Sequence, residues 1–426
     1  MILHTVLPGE TLYSIAARYG VSTAELIANN APIDPDRPTV GRSLIILRPR
    51  ALYTVRAGDT LEQIAQNQGI TLRELYRNNP RLIENPDIYP GEELVLSYEG
   101  EKLGDILSNG YAYSFISPET QRKSLPYLTN FTLFTYGFDE QGNLIAPTPD
   151  DTPAIRLALE EGSAPILLLS TLGPDDTFDN RLASALFSNP AAIDNLIAQL
   201  LAVMAQKGFR AVDIDFEYVL PADKEGFVAF VNTLGQALRA NGYELLVALA
   251  PKTYASQPGL LYEAHDYPAL GAAADAVLLM TYEWGYAFGA PQAIAPIDKV
   301  EAVINYALGE IPAEKIFLGI PNYGYDWTLP YTPGGPRATT ISPRQALELA
   351  DQYGAEILFD ERAASPYFYY TSSDGKQHVV WFEDARSYDR KLRLLAEKGL
   401  AGFSIWTVMN DTPDLLLTAN SLFDIL

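Results

Sequence analysis

The chain has 426 residues, carries 53 acidic against 30 basic residues, and has a formal net charge of −23 at pH 7. This length accommodates one large catalytic domain of roughly 250 residues or more together with one or two small modules. The charge disfavours nucleic acid or an anionic membrane surface as a partner. The chain contains no cysteine, so disulfides, thiolate metal sites and cysteine nucleophiles are excluded.

Metal, cofactor and membrane signals are missing from the sequence. The histidines His4, His265 and His378 do not have the i,i+4 spacing of a helical zinc site, and no HExxH motif occurs. We therefore expect neither a metal nor a cofactor. Hydropathy predicts no membrane span, and residues 1–4 pass directly into a polar turn instead of forming a signal peptide.

A repeat occupies the first hundred residues. The segment Thr5–Ala16 (TVLPGETLYSIA) recurs 49 residues later as Thr54–Ala65 (TVRAGDTLEQIA). Each unit reads as strand, helix, helix, strand, and the Gly-acid-Thr turn predicts a helix N-cap at the threonine. The connections around residues 48–50 and 97–102 are short, so we expect both units to pack close to the following domain.

These units resemble LysM modules, which are β-α-α-β domains that bind peptidoglycan and chitin through N-acetylglucosamine. The resemblance covers residues 1–48 and 52–97, and it implies a sugar between the Gly-acid-Thr turn and the loop after the second helix. The implied contact residues are Gly9, Glu10, Thr11 and Asn30 in the first unit and Gly58, Asp59, Thr60, Asn79 and Pro80 in the second. The alternative is that the repeats serve solubility or dimerisation.

From about residue 101 to the C-terminus at 426, strand-like apolar runs alternate with helical patterns, which is typical of βα units. Eight such runs predict an α/β fold, a closed (β/α)8 TIM barrel. The runs are 110–115, 131–138, 165–171, 209–217, 245–251, 276–283, 316–323 and 402–407. Between the last two runs, a helix at 345–353 and short strands at 356–359, 366–371 and 378–381 predict a small α+β insertion.

The fourth run carries three carboxylates at alternate positions, Asp213, Asp215 and Glu217. Strand side chains alternate between faces, so all three acids share one side. Desolvation and mutual repulsion then favour a bound proton on at least one of them at neutral pH. Glu217 lies at the carboxyl end of the run, which is where TIM barrels carry their active sites. The alternative is a strand whose acids bind a divalent ion or cap the next helix.

This pattern resembles the D-x-x-D-x-D-x-E signature of the family-18 glycoside hydrolases, with Arg210 in the place of the first Asp. The resemblance implies retaining hydrolysis in which the 2-acetamido oxygen of the substrate is the nucleophile. Glu217 would then be the general acid and later the base. Asp215 would orient the acetamide, and Asp213 would share a proton with Asp215.

Two further positions carry the same resemblance. Met280-Thr281-Tyr282-Glu283 is similar to the family motif M-x-Y-D, which implies that the Tyr282 hydroxyl binds the acetamido oxygen. Trp406, at the end of the eighth run, corresponds to the tryptophan that stacks on the sugar. Five more residues near strand ends are expected to line the cleft and bind substrate: Tyr111, Tyr136, Trp284, Asn322 and Tyr323.

Tandem LysM modules in front of a family-18 barrel resemble the spore cortex-lytic N-acetylglucosaminidases. The resemblance implies a monomeric hydrolase of β-1,4 bonds at N-acetylglucosamine in peptidoglycan, at the spore coat, the cortex or the cell wall. Its partner would be peptidoglycan or another polysaccharide that contains N-acetylglucosamine. Three alternatives stay open: a chitinase, a non-catalytic cell-wall lectin and a structural spore-coat protein.

Overall fold

A computed structural model describes residues 1–30, 32–172, 178–411 and 413–426. Each predicted repeat pairs its first and last strands in an antiparallel sheet around its helices. The first module contains β1 (Ile2–Thr5), α1 (Leu12–Tyr19), α2 (Thr23–Asn30) and β2 (Ser43–Ile46). The second module contains β3 (Pro49–Thr54), α3 (Leu61–Gln68), α4 (Leu72–Asn78), the extra short helix α5 (Arg81–Glu84) and β4 (Glu93–Tyr98). The expected linker at residues 48–50 thus already includes the start of β3.

The remainder of the chain forms the predicted barrel. Its first half comprises β5 (Asp105–Tyr113), α6 (Pro118–Ser124), β6 (Asn130–Phe138), β7 (Leu144–Ile145), α7 (Thr152–Glu160), β8 (Ala164–Ser170), α8 (Asn180–Phe187), α9 (Pro190–Lys207) and β9 (Ala211–Asp215). It continues with α10 (Lys224–Ala240), β10 (Glu244–Leu249), α11 (Tyr267–Ala273), β11 (Ala276–Leu279), α12 (Ile297–Leu308) and β12 (Ile316–Pro321).

The predicted α+β insertion follows β12. It comprises β13 (Gly324–Leu329), β14 (Thr339–Ile341), α13 (Pro343–Tyr353), β15 (Leu358–Asp360), β16 (Ser365–Thr371) and β17 (Gln377–Trp381). The chain then completes the barrel with α14 (Ala385–Lys398), β18 (Gly402–Trp406), α15 (Pro413–Leu422) and β19 (Asp424–Ile425). The sequence predicted three strands in the insertion and missed β13 and β14.

The barrel closes through parallel pairing in the order β5, β6, β8, β9, β10, β11, β12, β18 and back to β5. Each of the eight predicted runs overlaps one of these strands, which confirms the fold class. β9 ends at Asp215 and β11 at Leu279, before the ends of the predicted runs, and the left-handed backbone conformations of Tyr218 (φ 58°) and Glu283 (φ 67°) turn the chain beyond them. Glu217 and Tyr282 therefore lie in the turns beyond β9 and β11.

Alternation along β9 separates core residues from acids. Val212, Ile214 and Phe216 belong to the core between strands and helices, where the Phe216 ring stacks on Phe230 at a centroid distance of 5.7 Å. Asp213 and Asp215 face the other way, into the barrel interior, and both are buried. The strand therefore holds the acids in fixed positions through apolar packing on its opposite face.

The second LysM module is fixed to the barrel by two arginines of α4, the partly buried Arg73 and the buried Arg77. Arg73 donates from Nη2 to the carbonyl oxygens of Leu125 (2.7 Å) and Leu128 (2.5 Å). Arg77 donates from Nη1 to the carbonyl oxygens of Pro126 (3.2 Å) and Ile425 (3.1 Å). Leu128 lies two residues before the start of β6, so this module covers the amino ends of the barrel strands, opposite to the acidic cluster.

The first LysM module contacts the insertion. Thr39 donates a hydrogen bond from its hydroxyl to the Asp351 carboxylate, and Ile357 N–H donates to the Val40 carbonyl at 3.0 Å. Gly41 (φ +82°) approaches Ile357 so closely that a Cβ at residue 41 would lie 1.8 Å from the Ile357 carbonyl oxygen. Both modules therefore pack directly on the catalytic domain, as the short connections predicted.

Among the described residues, no single helix has the length and hydropathy needed to cross a bilayer, and only the bent pair α8 and α9 reaches both limits together.

Candidate active site

The acidic cluster opens into a cavity of about 240 Å³ at the carboxyl end of the barrel. Seven of the predicted catalytic or cleft residues line it: Tyr111, Asp215, Glu217, Tyr282, Trp284, Tyr323 and Trp406. Glu283 and Tyr262 also line it. The barrel thus brings together side chains that are up to 295 positions apart in sequence, from Tyr111 to Trp406.

Asp213 lies beneath this cavity. It is fully buried, and the Tyr111 hydroxyl donates a hydrogen bond of 2.5 Å to Asp213 Oδ2. Burial raises the pKa of the Asp213 carboxyl to about 6, although the Tyr111 hydrogen bond acts in the opposite direction. Among the described residues, Oδ1 of Asp213 and Oδ1 of Asp215 are both buried without a hydrogen-bond partner. Such a pair can share one proton and can accept a hydrogen bond from a bound ligand.

Asp215 and Glu217 have raised pKa values. Burial, followed by the nearby charges of Glu217 and Asp213, raises the pKa of Asp215 well above its ordinary value. Burial and then the charge of Glu283 raise the pKa of Glu217 to about 7. Glu217 can therefore carry a proton near neutral pH and also give it up, which a general acid that later acts as a base requires.

Tyr282 is positioned by the turn that follows β11. The preceding residue, Thr281, donates from Oγ1 to the Gly319 carbonyl on β12 at 2.7 Å. A Cβ at residue 319 would lie 2.9 Å from Tyr282 Cε1 and 2.4 Å from the Leu279 carbonyl oxygen, so a glycine is needed for this ring position. Burial raises the pKa of the Tyr282 phenol well above its ordinary value, which keeps the hydroxyl a hydrogen-bond donor.

Trp406 closes the base of the cavity. Its ring packs against Phe134 at 5.2 Å and against Tyr111 at 5.5 Å between centroids. Asn322 supports this strand end from below, because its N–H donates to the Trp406 carbonyl at 2.9 Å and its Nδ2 donates to the Thr407 carbonyl at 2.7 Å. Asn322 is fully buried, so the structure corrects its predicted cleft position to a supporting one.

Tyr136 does not belong to the cavity either. Its ring packs in the layer between strands and helices at 6.0 Å from Phe209, and its hydroxyl donates to Asp151 Oδ2 at 2.8 Å. The sequence placed it near a strand end correctly. It could not show that Tyr136 faces the helices and not the barrel interior, because β6 has a register irregularity between Leu133 and Tyr136.

Glu283 connects the cavity to the insertion. The hydroxyls of Tyr323 and Tyr325 both donate to Glu283 Oε1, the latter at 2.8 Å. The loss of surrounding water raises the pKa of the Glu283 carboxyl, and these two hydrogen bonds oppose that rise. Tyr325 is not among the predicted site residues because it lies on the unpredicted strand β13. Tyr262 is not among them because the long loop after β10 carries no motif.

In the LysM modules, the acidic residue of each Gly-acid-Thr turn braces the turn. Glu10 Oε2 accepts from Leu7 N–H (2.9 Å) and pairs with His4 Nε2 (2.8 Å). Asp59 Oδ2 accepts from Arg56 N–H and from the Tyr53 hydroxyl, both at 2.8 Å.

The remaining turn residues also have structural positions. Thr11 and Thr60 cap α1 and α3, Gly9 and Gly58 have positive φ, and Pro80 begins α5. Binding of a sugar at these turns stays a prediction.

The repeated asparagines have a different role from the predicted one. Asn30 Nδ2 donates to the carbonyls of Leu26 (2.9 Å) and Ile45 (3.0 Å), and its Oδ1 accepts from Ile45 N–H (2.7 Å). Asn79 makes the same bridge to Leu75 and Val95. Both side-chain amides are buried and hydrogen-bonded to the backbone, so they join helix to strand and are not available to a sugar.

Among the described residues, no group of three or more His, Asp or Glu side chains is arranged to hold a metal ion.

Comparison with known proteins agrees with this architecture. The profile of the glycosyl hydrolases family 18 matches residues 166–411, and the LysM domain profile matches residues 4–47 and 53–97. The cortical fragment-lytic enzyme of Bacillus subtilis is 40% identical over 431 residues, which cover 100% of this chain and 99% of that protein.

Solved structures have similar folds over all or part of the chain. The crystal structure of the Bacillus megaterium spore cortex-lytic enzyme SleL has a TM-score of 0.84 at 33% identity and covers 100% of this chain and 98% of that chain. A chitinase from Chromobacterium violaceum has a TM-score of 0.68 at 27% identity and covers 74% of this chain and 98% of that chain. This chain belongs to the glycosyl hydrolases family 18, is a glycoside hydrolase, and carries two N-terminal LysM domains.

Proposed function

We propose that this protein hydrolyses β-1,4 bonds at N-acetylglucosamine in the peptidoglycan of the spore cortex or in its fragments, with retention of configuration. The observation that carries the proposal is the pair Asp215 and Glu217 in the cavity wall, with raised pKa values and with Asp213 beneath them. The cortex as substrate is supported by the full-length likeness to the cortical fragment-lytic enzyme of Bacillus subtilis.

Glu217 is the proton donor in this proposal. In the first step the acetamido oxygen of the substrate attacks C1, the bond between C1 and the glycosidic oxygen breaks, and the Glu217 proton passes to that oxygen. In the second step water attacks C1 of the cyclic oxazolinium ion, the bond between C1 and the acetamido oxygen breaks to restore the acetamide, and the water gives a proton to Glu217. Each step reverses the configuration at C1, so the product retains it.

Asp215 orients the acetamide and does not act as a nucleophile. Burial raises the pKa of Asp215 and so favours a proton on the Asp213–Asp215 pair, and a protonated carboxyl is a poor nucleophile. The free Oδ1 atom of Asp215 is available to accept the acetamido N–H. The Tyr282 hydroxyl is available to donate to the acetamido oxygen, while Trp406 offers an aromatic surface to the sugar ring.

The LysM domains hold the polymer. The protein has a net charge of −23, and peptidoglycan stems are often acidic, so charge attraction contributes little to binding. Two modules on one chain raise the effective affinity for a long glycan strand when both engage it. The site of action in this proposal is the spore cortex or the cell wall.

Product analysis tests the proposal. Purified protein is incubated with cortex fragments and with N-acetylglucosamine oligomers, and the products are identified by mass spectrometry. New N-acetylglucosamine reducing ends from cortex fragments are the expected result. Cleavage of the oligomers alone would indicate a chitinase. Binding without cleavage of either substrate would indicate a lectin or a structural coat protein.

A further inference from the structure

The mouth of the cavity is formed where two loops are joined by hydrogen bonds. The loop after β11 leaves the cavity at Trp284, and the loop between β13 and β14 in the insertion lies against it. Ala338 N–H donates to the Ala287 carbonyl at 2.7 Å, and Trp327 Nε1 donates to the Gly289 carbonyl at 3.0 Å. The two loops therefore form one continuous rim beside Glu283 and Trp284.

An arginine with exposed aromatic neighbours lies on this rim. The guanidinium carbon of Arg337 is 6.0 Å from the centroid of the Phe288 ring, which is 61% exposed. The ring of Tyr286, 46% exposed, is 6.4 Å from the Phe288 ring. Arg337 Nη2 donates a long hydrogen bond of 3.4 Å to Thr340 Oγ1, and its guanidinium has no carboxylate partner in the part of the chain that the structure describes.

Arg337 packs over Phe288, which lies on the loop that also carries Glu283. The charge of Arg337 opposes the burial that raises the pKa of Glu283, and Glu283 in turn lies beside Glu217. The cavity otherwise presents Asp215, Glu217 and Glu283, in a protein with a net charge of −23. An acidic substituent on the substrate would therefore be repelled at every position of the rim that lacks a compensating cation.

The geometry points to a specificity subsite. We propose that Arg337, held over Phe288 and next to Tyr286, receives a carboxylate carried by the sugar that neighbours the cleaved N-acetylglucosamine. An exposed guanidinium with free donors can bind a carboxylate in bidentate fashion, and the aromatic rings offer a surface for the pyranose ring. This inference rests on the proposed function and deepens it, because it makes Arg337 a reason to prefer acidic peptidoglycan to neutral chitin.

The carboxylate has two chemical sources in peptidoglycan: the lactyl ether of N-acetylmuramic acid and the peptide attached to it. Three soluble oligosaccharides of equal length distinguish these sources. The first is the neutral N-acetylglucosamine tetramer. The second alternates N-acetylglucosamine with N-acetylmuramic acid and has free lactyl carboxylates, and the third carries peptides on those carboxylates.

The variants are Arg337→Gln, Arg337→Lys and the matched control Arg156→Gln, which removes an exposed arginine from α7 on the barrel flank. Affinity for all three oligosaccharides is measured in the Glu217→Gln background, so that the readout does not depend on turnover. kcat/KM is then measured with active protein. Removing an exposed charge-assisted contact is expected to lower the affinity for an acidic ligand by about three- to tenfold.

We expect Arg337→Gln to lower the affinity and kcat/KM for the acidic oligosaccharides by that factor and to leave both values for the neutral tetramer unchanged. Arg156→Gln should change neither value for any of the three ligands. Arg337→Lys should retain part of the affinity for the acidic oligosaccharides. A loss with the second oligosaccharide assigns the lactyl carboxylate, and a loss confined to the third assigns the peptide.

Equal losses for all three ligands, or no loss for any, would overturn the inference and leave the proposed function intact. The proposed function itself fails if the active protein cleaves none of the acidic oligosaccharides.

Discussion

Carboxylates at the end of β9 and carboxylates in the LysM turns are the same chemical groups in opposite environments. Burial raises the pKa values of Asp213, Asp215 and Glu217, and neighbouring carboxylates raise those of the latter two further. Burial would also raise the pKa of Glu10, but hydrogen bonds from Leu7 N–H and His4 hold it below its ordinary value. A hydrogen bond from Arg56 N–H likewise lowers the pKa of Asp59.

The comparison separates reactive acids from structural acids. A carboxylate that accepts backbone N–H groups stabilises the fold and stays ionised, so it has no proton to give. A carboxyl held in an apolar interior by the packing of a strand costs stability at neutral pH but retains a proton for catalysis. Both kinds occur in sequence motifs, and their surroundings determine which role each one has.

The substitution Glu217→Gln should have the largest effect on turnover. It removes the proton donor while preserving size and hydrogen bonding, so kcat on soluble cortex fragments should fall by roughly 10² to 10⁴. The control Glu10→Gln changes the equivalent group in a LysM turn and should leave kcat on these fragments unchanged. Turnover close to the wild-type value by folded Glu217→Gln protein would rule out the assignment.

Asn79→Ala tests the structural polar groups of the modules. It leaves Val95 N–H and the carbonyls of Leu75 and Val95 buried without partners, which should lower the free energy of unfolding of the module by about 2–3 kcal/mol. The measurement is thermal unfolding, with turnover of soluble fragments as a control that should not change at low temperature. An unchanged melting temperature would show that the bridge contributes little.

Asp213→Asn should stabilise the barrel at neutral pH. The folded-state pKa of Asp213, about 6, lies above its ordinary value of 3.8. Its contribution to stability is therefore complete below about pH 4 and is lost as the pH rises through 6. A pKa difference of about 2 corresponds to about 3 kcal/mol, so we expect the variant to gain up to about 3 kcal/mol at pH 8 and nothing at pH 4, as measured by chemical denaturation. A gain at pH 4 of the same size would contradict this linkage.

Glu283→Gln should have the smallest effect on turnover and tests how much the Glu283 charge contributes to the pKa of Glu217. The charge of Glu283 is the second cause, after burial, of the raised pKa of Glu217. Its removal should lower the pKa of Glu217, so the alkaline limb of the kcat profile should move to lower pH. Glu314→Gln, on the barrel exterior, provides the control. A limb that stays in place would mean that burial alone sets the pKa of Glu217.

Much of the site could be predicted from β9, because alternation along one strand depends only on local geometry. Asp213 and Asp215 face the barrel interior as their period-two spacing requires, and Glu217 follows at the carboxyl end. The position of Tyr136 was wrong for the opposite reason. An irregular register in β6 turned it toward the helices, and only pairing with the neighbouring strand determines such a register.

The two repeats, the eight barrel strands in chain order and the acidic motif could be read from the amino-acid sequence, because each depends on periodicity or on local turn chemistry. Tertiary structure alone decided that Asn30 and Asn79 are bridges, that Tyr325 reaches Glu283 and that Arg337 lies on the rim. The physical reason is that hydrogen-bond partners and burial depend on residues distant in the chain. A pattern can therefore show which residues are polar and regularly spaced, but it cannot show what surrounds them.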